Sequence, residues 1–160
     1  MNSIAMDAVS AHAVPDDVAI DVQFPMPLWG IPHARTYALR PASREGVWWL
    51  QSHEEPVTTF VLADPFVVEP SYAIDLGEKE KASLRATSAD DVIALVILTL
   101  PAGPVQPVTG NFRAPVVINL RAGLGLQVVN RDESQHLTRP VSLGAYPLRH
   151  DGMAAPATDG

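Results

Sequence analysis

Trp48-Trp49-Leu50-Gln51-Ser52-His53-Glu54-Glu55-Pro56, followed by Phe60-Val61-Leu62-Ala63-Asp64-Pro65-Phe66, decides how this chain reads. Two runs rich in aromatic and β-branched residues flank a polar turn, the pattern of two paired strands. The second run stops at Asp64-Pro65, where proline removes a backbone donor. No catalytic motif has this form.

Outward from this hairpin the same punctuation repeats. Toward the N-terminus, Val18 to Phe24 alternates apolar and polar residues, a half-buried strand. It runs into Pro25-Met26-Pro27-Leu28-Trp29-Gly30-Ile31-Pro32, where three prolines and a glycine impose a rigid loop. That loop either plugs the core or presents an apolar surface. Arg35 to Arg40 reads as a strand ended by Pro41, and Val47–Gln51 and Val57–Ala63 form the hairpin. Residues 66–75 read as extended, interrupted by Pro70. Gly77 to Ala86 reads as the one helix, short and superficial because its apolar residues are few.

Val92 to Leu100 is apolar and β-branched, lies between Asp90-Asp91 and Pro101, and reads as a central buried strand. Periodicity alone leaves a buried helix open. Ala114–Leu120 and Leu126–Asn130 form a second hairpin around residues 121–125. The expectation is an all-β barrel or sandwich of seven to eight short strands with one short surface helix. Residues 16–146 form the domain, between a loose leader at 1–15 and a disordered tail at 147–160.

The 160 residues match one ordinary domain, and 47% hydrophobic content is enough for one core. There is no cysteine, which excludes disulfides and thiolate metal sites. No positively charged start precedes an apolar run, so no secretory signal is read, and Val92–Leu98 is too short to span a bilayer. These features point to a soluble cytoplasmic protein. The net charge of −7 disfavours direct nucleic-acid binding. Residues 64–91 carry seven acids against three bases, a face that either attracts a basic protein or simply aids solubility. His12, His33, His53, His136 and His150 are scattered without metal-ligand spacing. No G-x-S-x-G surrounds a serine, and Gly123-x-Gly125 is a hairpin glycine pair. The expectation is therefore no enzyme, no metal and no cofactor.

Three blocks, in order and at matching spacing from about Ile20 to Leu143, resemble the FliW family. The first is Phe24-Pro25 with Leu28, Gly30, Ile31 and Pro32. The second is Trp49-Leu50-Gln51-Ser52 with Phe60 and Asp64-Pro65. The third is Asn111-Phe112, Ala114-Pro115-Val116-Val117-Ile118-Asn119, then Gly125, Gln127, Val128 and Val129. The chain departs from the family at His33-Ala34, where a Gly-Phe is usual. It departs again at Val67-Val68 and Ser71, where more polar or aromatic character is usual. The resemblance implies a cytoplasmic flagellar assembly factor that binds flagellin. When free, such a factor binds CsrA, a small RNA-binding protein, and relieves its repression of flagellin mRNA by an allosteric route. Two alternatives stay open: a flagellin-only chaperone, and a small-molecule-binding β-barrel with a deep pocket at its mouth.

Candidate partner-binding residues follow. Asp64 either caps a turn or heads an acidic surface with Glu69, Asp75, Glu78 and Glu80. Asn111, at a strand start, faces a partner or ties a loop. Trp29 lies in the proline-rich loop. Mid-strand placement assigns Trp49 and Leu50 to the core. Trp48 then faces the other way, as an interface anchor on an open face or as packing under a loop. Asn119 and Gln127 are expected to tie loops to strand ends.

Overall fold

The computed structural model describes Ile4, Ala5 and residues 19–149. Its strands are β1 (Ile4–Ala5), β2 (Ile20–Gln23), β3 (Thr36–Pro41), β4 (Val47–Ser52), β5 (Thr59–Ala63), β6 (Asp75–Leu76), β7 (Ile93–Thr99), β8 (Val108–Gly110), β9 (Val116–Asn119), β10 (Leu124–Gln127) and β11 (Arg139–Val141). Two helices, α1 (Pro65–Val68) and α2 (Glu78–Leu84), complete the regular elements with short 3-10 turns. Seven strands close a barrel in the order β7-β5-β4-β3-β2-β10-β9, with β9 pairing back onto β7. The expected all-β barrel is present. The further strands are two- and three-residue pieces: β8 and β11 extend the sheet from the end of β7, and β1 pairs with β6.

Two expectations need correcting. Residues 66–75 are not simply extended, because Pro65–Val68 forms one helical turn. Asp64 accepts a hydrogen bond from the Phe66 amide, and Pro65 occupies the first helical position, where a missing N–H costs nothing. Within the leader, Ile4–Ala5 pairs antiparallel with Asp75–Leu76. The remainder of the leader, residues 16–18 and the tail from residue 150 lie outside the described residues.

The barrel interior is filled. Val22, Phe24, Tyr37, Leu39, Trp48, Leu50, Leu62, Ile93, Leu95, Val116 and Ile118 meet inside it. Strand alternation explains this set, because β4 sends Trp48, Leu50 and Ser52 inward and Trp49 and Gln51 outward. A second apolar layer covers the outer faces of β7, β9 and β10. There Ala94, Val96, Val117 and Leu126 pack under Tyr72, Ile74, Leu76, Leu84 and Tyr146. Burial on both faces makes β7 read as an unbroken apolar run.

The seam between β2 and β10 is the thinnest part of the wall. These strands run parallel and share one residue pair, Gln23 with Leu124, and the Gln23 amide donates to Gly123 O at 2.8 Å. The Phe24 ring lies against the seam, edge-on to Tyr37 at 5.3 Å. A Cβ on Gly125 would sit 2.6 Å from that ring, so glycine is what lets the aromatic side chain approach β10.

Candidate functional site

The proline-rich loop both plugs the core and presents an apolar surface. Leu28 and Ala34 are buried in the interior cluster, while Met26 and Trp29 face solvent, Trp29 at 55% exposure. The loop is held by its own chain: Ile31 N donates to Leu28 O, and Arg35 Nη1 donates to Pro25 O at 2.9 Å. Gln127 secures it from β10. Its Oε1 accepts from the Trp29 amide at 3.0 Å, and its Nε2 donates to Ala114 O at 3.1 Å. His33 Nε2 lies 2.9 Å from Pro56 O, linking this loop to the β4–β5 turn. Val57 in that turn, Leu100 after β7 and Val129 after β10 are also exposed. By strand register all three lie at the same end of the barrel as the proline-rich loop.

Trp48 and Trp49 reverse the sequence reading. Trp48 is 1% exposed inside the barrel, and Trp49 is 43% exposed on the outer face. Adjacent strand residues cannot share a face, so Trp49 could not join Leu50 in the core. Arg149 lies over the Trp48 ring at 4.9 Å, sealing it from solvent. Trp48 therefore has no open face for a partner. Trp49 was missed as a surface aromatic; it pairs with Arg40 on one side and Val61 on the other.

The acidic candidates are not one continuous surface. Asp64 is 7% exposed and caps α1, so its place is structural. Glu69 pairs with Arg139 and accepts from Gln135, bracing β11 against the end of α1. Glu80 reaches back to the Gly77 amide at 2.6 Å and caps α2. Glu78 is exposed but pairs with Lys81 at 2.9 Å. Asp75 is exposed at the start of β6. Asn111 is half-buried, and its Oδ1 accepts from the Ala114 amide at 2.9 Å, which fastens the turn into β9. Of these candidates, Asp75, Glu78 and Trp29 have exposed side chains.

Asn119 ties elements together as expected. Its Nδ2 donates to Leu84 O at 2.8 Å, and its Oδ1 accepts from the Ala122 amide at 3.1 Å. Among the described residues no group of His, Asp and Glu could hold a metal ion, and no helix is long and apolar enough to cross a membrane. Among the described residues, the grooves near α2 and near the β2–β10 seam are open at the surface, and the barrel interior is occupied by Tyr37, Trp48 and their neighbours.

Burial raises the Tyr72 hydroxyl from its ordinary value of 10.0 to about 12, and raises Tyr146 further. Each hydroxyl donates to a backbone carbonyl, Tyr72 to Phe112 and Tyr146 to Asp64. Both stay neutral and fasten the outer layer to the barrel.

Comparison with known proteins places this architecture. The family model described as FliW protein matches residues 7–141. The flagellar assembly factor FliW of Desulfovibrio desulfuricans is 38% identical over 144 residues, covering 85% of this chain and 86% of its own. Flagellar assembly factor FliW 2 of Desulfotalea psychrophila is 35% identical over 107 residues, covering 66% of this chain and 70% of its own. A crystal structure of the flagellar assembly factor FliW superimposes with a TM-score of 0.68 at 30% identity, covering 87% of this chain and 96% of that one. The residues matched by the family model span the barrel strands, the proline-rich loop and α2, and the chain belongs to the FliW family.

Proposed function

We propose that this chain is a flagellar assembly factor that works by binding proteins. It holds flagellin, and when free it binds a CsrA-type RNA-binding protein and relieves repression of flagellin mRNA. The observation that carries this reading is the family match across residues 7–141, which takes in the whole barrel. The filled barrel supports it against the small-molecule alternative, since side chains occupy the space a ligand would need.

The two partners differ in chemistry, and so do the free surfaces. A basic RNA-binding protein is matched by the exposed carboxylates of Asp75 and Glu78. A helical flagellin terminus with an apolar face is matched by Met26, Trp29 and Val57 at the plugged end of the barrel. Aromatic side chains at such a site carry most of the binding energy.

Biolayer interferometry against each partner from the same genome tests the assignment. Reversing both Asp75 and Glu78 to Lys should weaken the CsrA-type protein and spare flagellin; Trp29→Ala should do the opposite. Unchanged binding of both partners by both variants would remove these surfaces from the account. Flagellin binding with no CsrA-type binding would leave a chaperone.

A further inference from the structure

On a chain of net charge −7, one groove carries cations with no ionic partner. It runs between the C-terminal end of α2 and the β9–β10 turn, as two adjoining depressions that share Arg85 and Thr87. Arg85 and Arg121 are exposed on its walls, and neither makes an ion pair with a described residue.

The local backbone is unusual. Arg85 caps α2 in the left-handed conformation, φ 54° and ψ 40°. Glycine normally fills that position, and an ordinary L-residue there is strained by about 1 kcal/mol. The strain is held from beneath by Asn119, which is buried. Its amide donates to both Leu84 O and Arg85 O, and its carbonyl accepts from the Ala122 amide. One buried side chain therefore fixes both turns that carry the arginines.

The acids facing the groove already have partners. Glu78 pairs with Lys81. Asp91 accepts from the Thr87 amide, the Thr87 hydroxyl and the Ser88 amide. Those bonds hold its carboxyl below the usual range, so it stays ionised. It offsets part of the Arg121 charge and leaves Arg85 unopposed.

We propose that this groove is a docking site for an acidic peptide segment of a partner protein, its carboxylates received by Arg85 and Arg121. Guanidinium groups receive carboxylates through paired, charge-assisted hydrogen bonds. The two depressions adjoin and are open at the surface, which suits an extended segment. Glu78 and Asp91 on its walls leave room for only a few well-placed anionic groups, which favours a segment with spaced carboxylates over a nucleic-acid strand with a phosphate at every nucleotide. The groove shares Glu78 with the acidic surface proposed above, but the arginines that carry the inference are not part of that surface, and their substitution tests it separately.

The test uses the full chain and a short fluorescein-labelled peptide of alternating Glu and Gly, followed by fluorescence anisotropy at low salt. Two variants remove the cations. Arg85→Gly keeps the left-handed cap without strain, and Arg121→Gln keeps the turn polar. Each should lower affinity by about tenfold, the effect of losing one charge-assisted interaction, while Arg85→Gly melts no lower than the parent. Reversing Asp75 alone to Lys, outside the groove, should not weaken the peptide. The proposal is overturned if the peptide fails to bind at millimolar concentration, or if both variants bind as the parent does. It is equally overturned if a Lys-Gly peptide binds as well, or if single-stranded DNA binds through these arginines and the acidic peptide does not.

Discussion

The barrel has two unlike halves. In β7, β9 and β10 both faces of the wall are buried, the inner against the barrel contents and the outer against α2, β6 and the tyrosines. In β2, β3 and β4 the inner face is buried and most of the outer face is open: Ala38 and Val47 are covered, but Asp21, Gln23, Arg40, Trp49 and Gln51 look outward to solvent. The first half is a scaffold with no face to spare. The second half keeps a face free and continues into the loop that exposes Trp29. Neighbouring tryptophans record the difference: one is sealed inside, and the next in sequence stands on the surface.

The largest test of this contrast is to truncate those two tryptophans. Trp48→Ala should cost about 3–5 kcal/mol, as expected for emptying a large buried site. Trp49→Ala should cost less than about 1 kcal/mol, since its side chain already meets water. Urea denaturation midpoints compare them directly. Equal losses would mean that the outer face of β4 is covered after all.

A second test exchanges polarity on the two outer faces. Val117 points outward from β9 into the covering layer, and Gln51 points outward from β4 into solvent. Val117→Thr keeps the shape and buries a hydroxyl, costing about 1–3 kcal/mol. Gln51→Thr should change stability by no more than about 0.5 kcal/mol.

The tyrosines sharpen the comparison further. Tyr72 and Tyr146 bond backbone carbonyls in the covering layer, whereas the buried Tyr37 hydroxyl has no hydrogen-bond partner among the described residues. Tyr72→Phe and Tyr146→Phe should each cost about 1 kcal/mol, and Tyr37→Phe should be neutral or stabilising. The pH dependence follows with a definite sign. Folding raises these hydroxyls above 10.0, so the unfolded chain releases its protons first. Their stabilising contribution is intact below pH 10.0 and is lost as pH rises toward about 12, the folded value for Tyr72. Ultraviolet titration of the native chain should detect no ionisation of Tyr72 near pH 10. The Tyr72→Phe variant should lose less stability than the parent over that range.

The strands buried on both faces were the easiest to read, because β7 and β9 carry unbroken apolar runs. Helix α2 was legible from Gly77 and the Glu80 that reaches back to cap it. Helix α1 was missed although its signal was present: Asp64 followed by Pro65 is a cap residue before the first helical position. The facing of Trp48 was also available, since Trp48, Leu50 and Ser52 alternate by two. Strands β1, β6, β8 and β11 are too short for any periodicity to mark them. Which acidic residues are held by partners within the chain was not legible, for a different reason. Sequence displays charges but not their partners, and Glu69 meets Arg139 from 70 positions away. Asp75 and Glu78 remain exposed because β6 and α2 lie on the outside of the cover, although Glu78 pairs with its neighbour Lys81.

The central claim is that this chain is a switch between protein partners, and competition calorimetry tests it most directly. The CsrA-type protein of the same genome is titrated into the chain alone and then into the chain already loaded with flagellin. The account predicts sub-micromolar binding in the first titration and its suppression in the second. Absence of binding to either protein at micromolar concentration would contradict it.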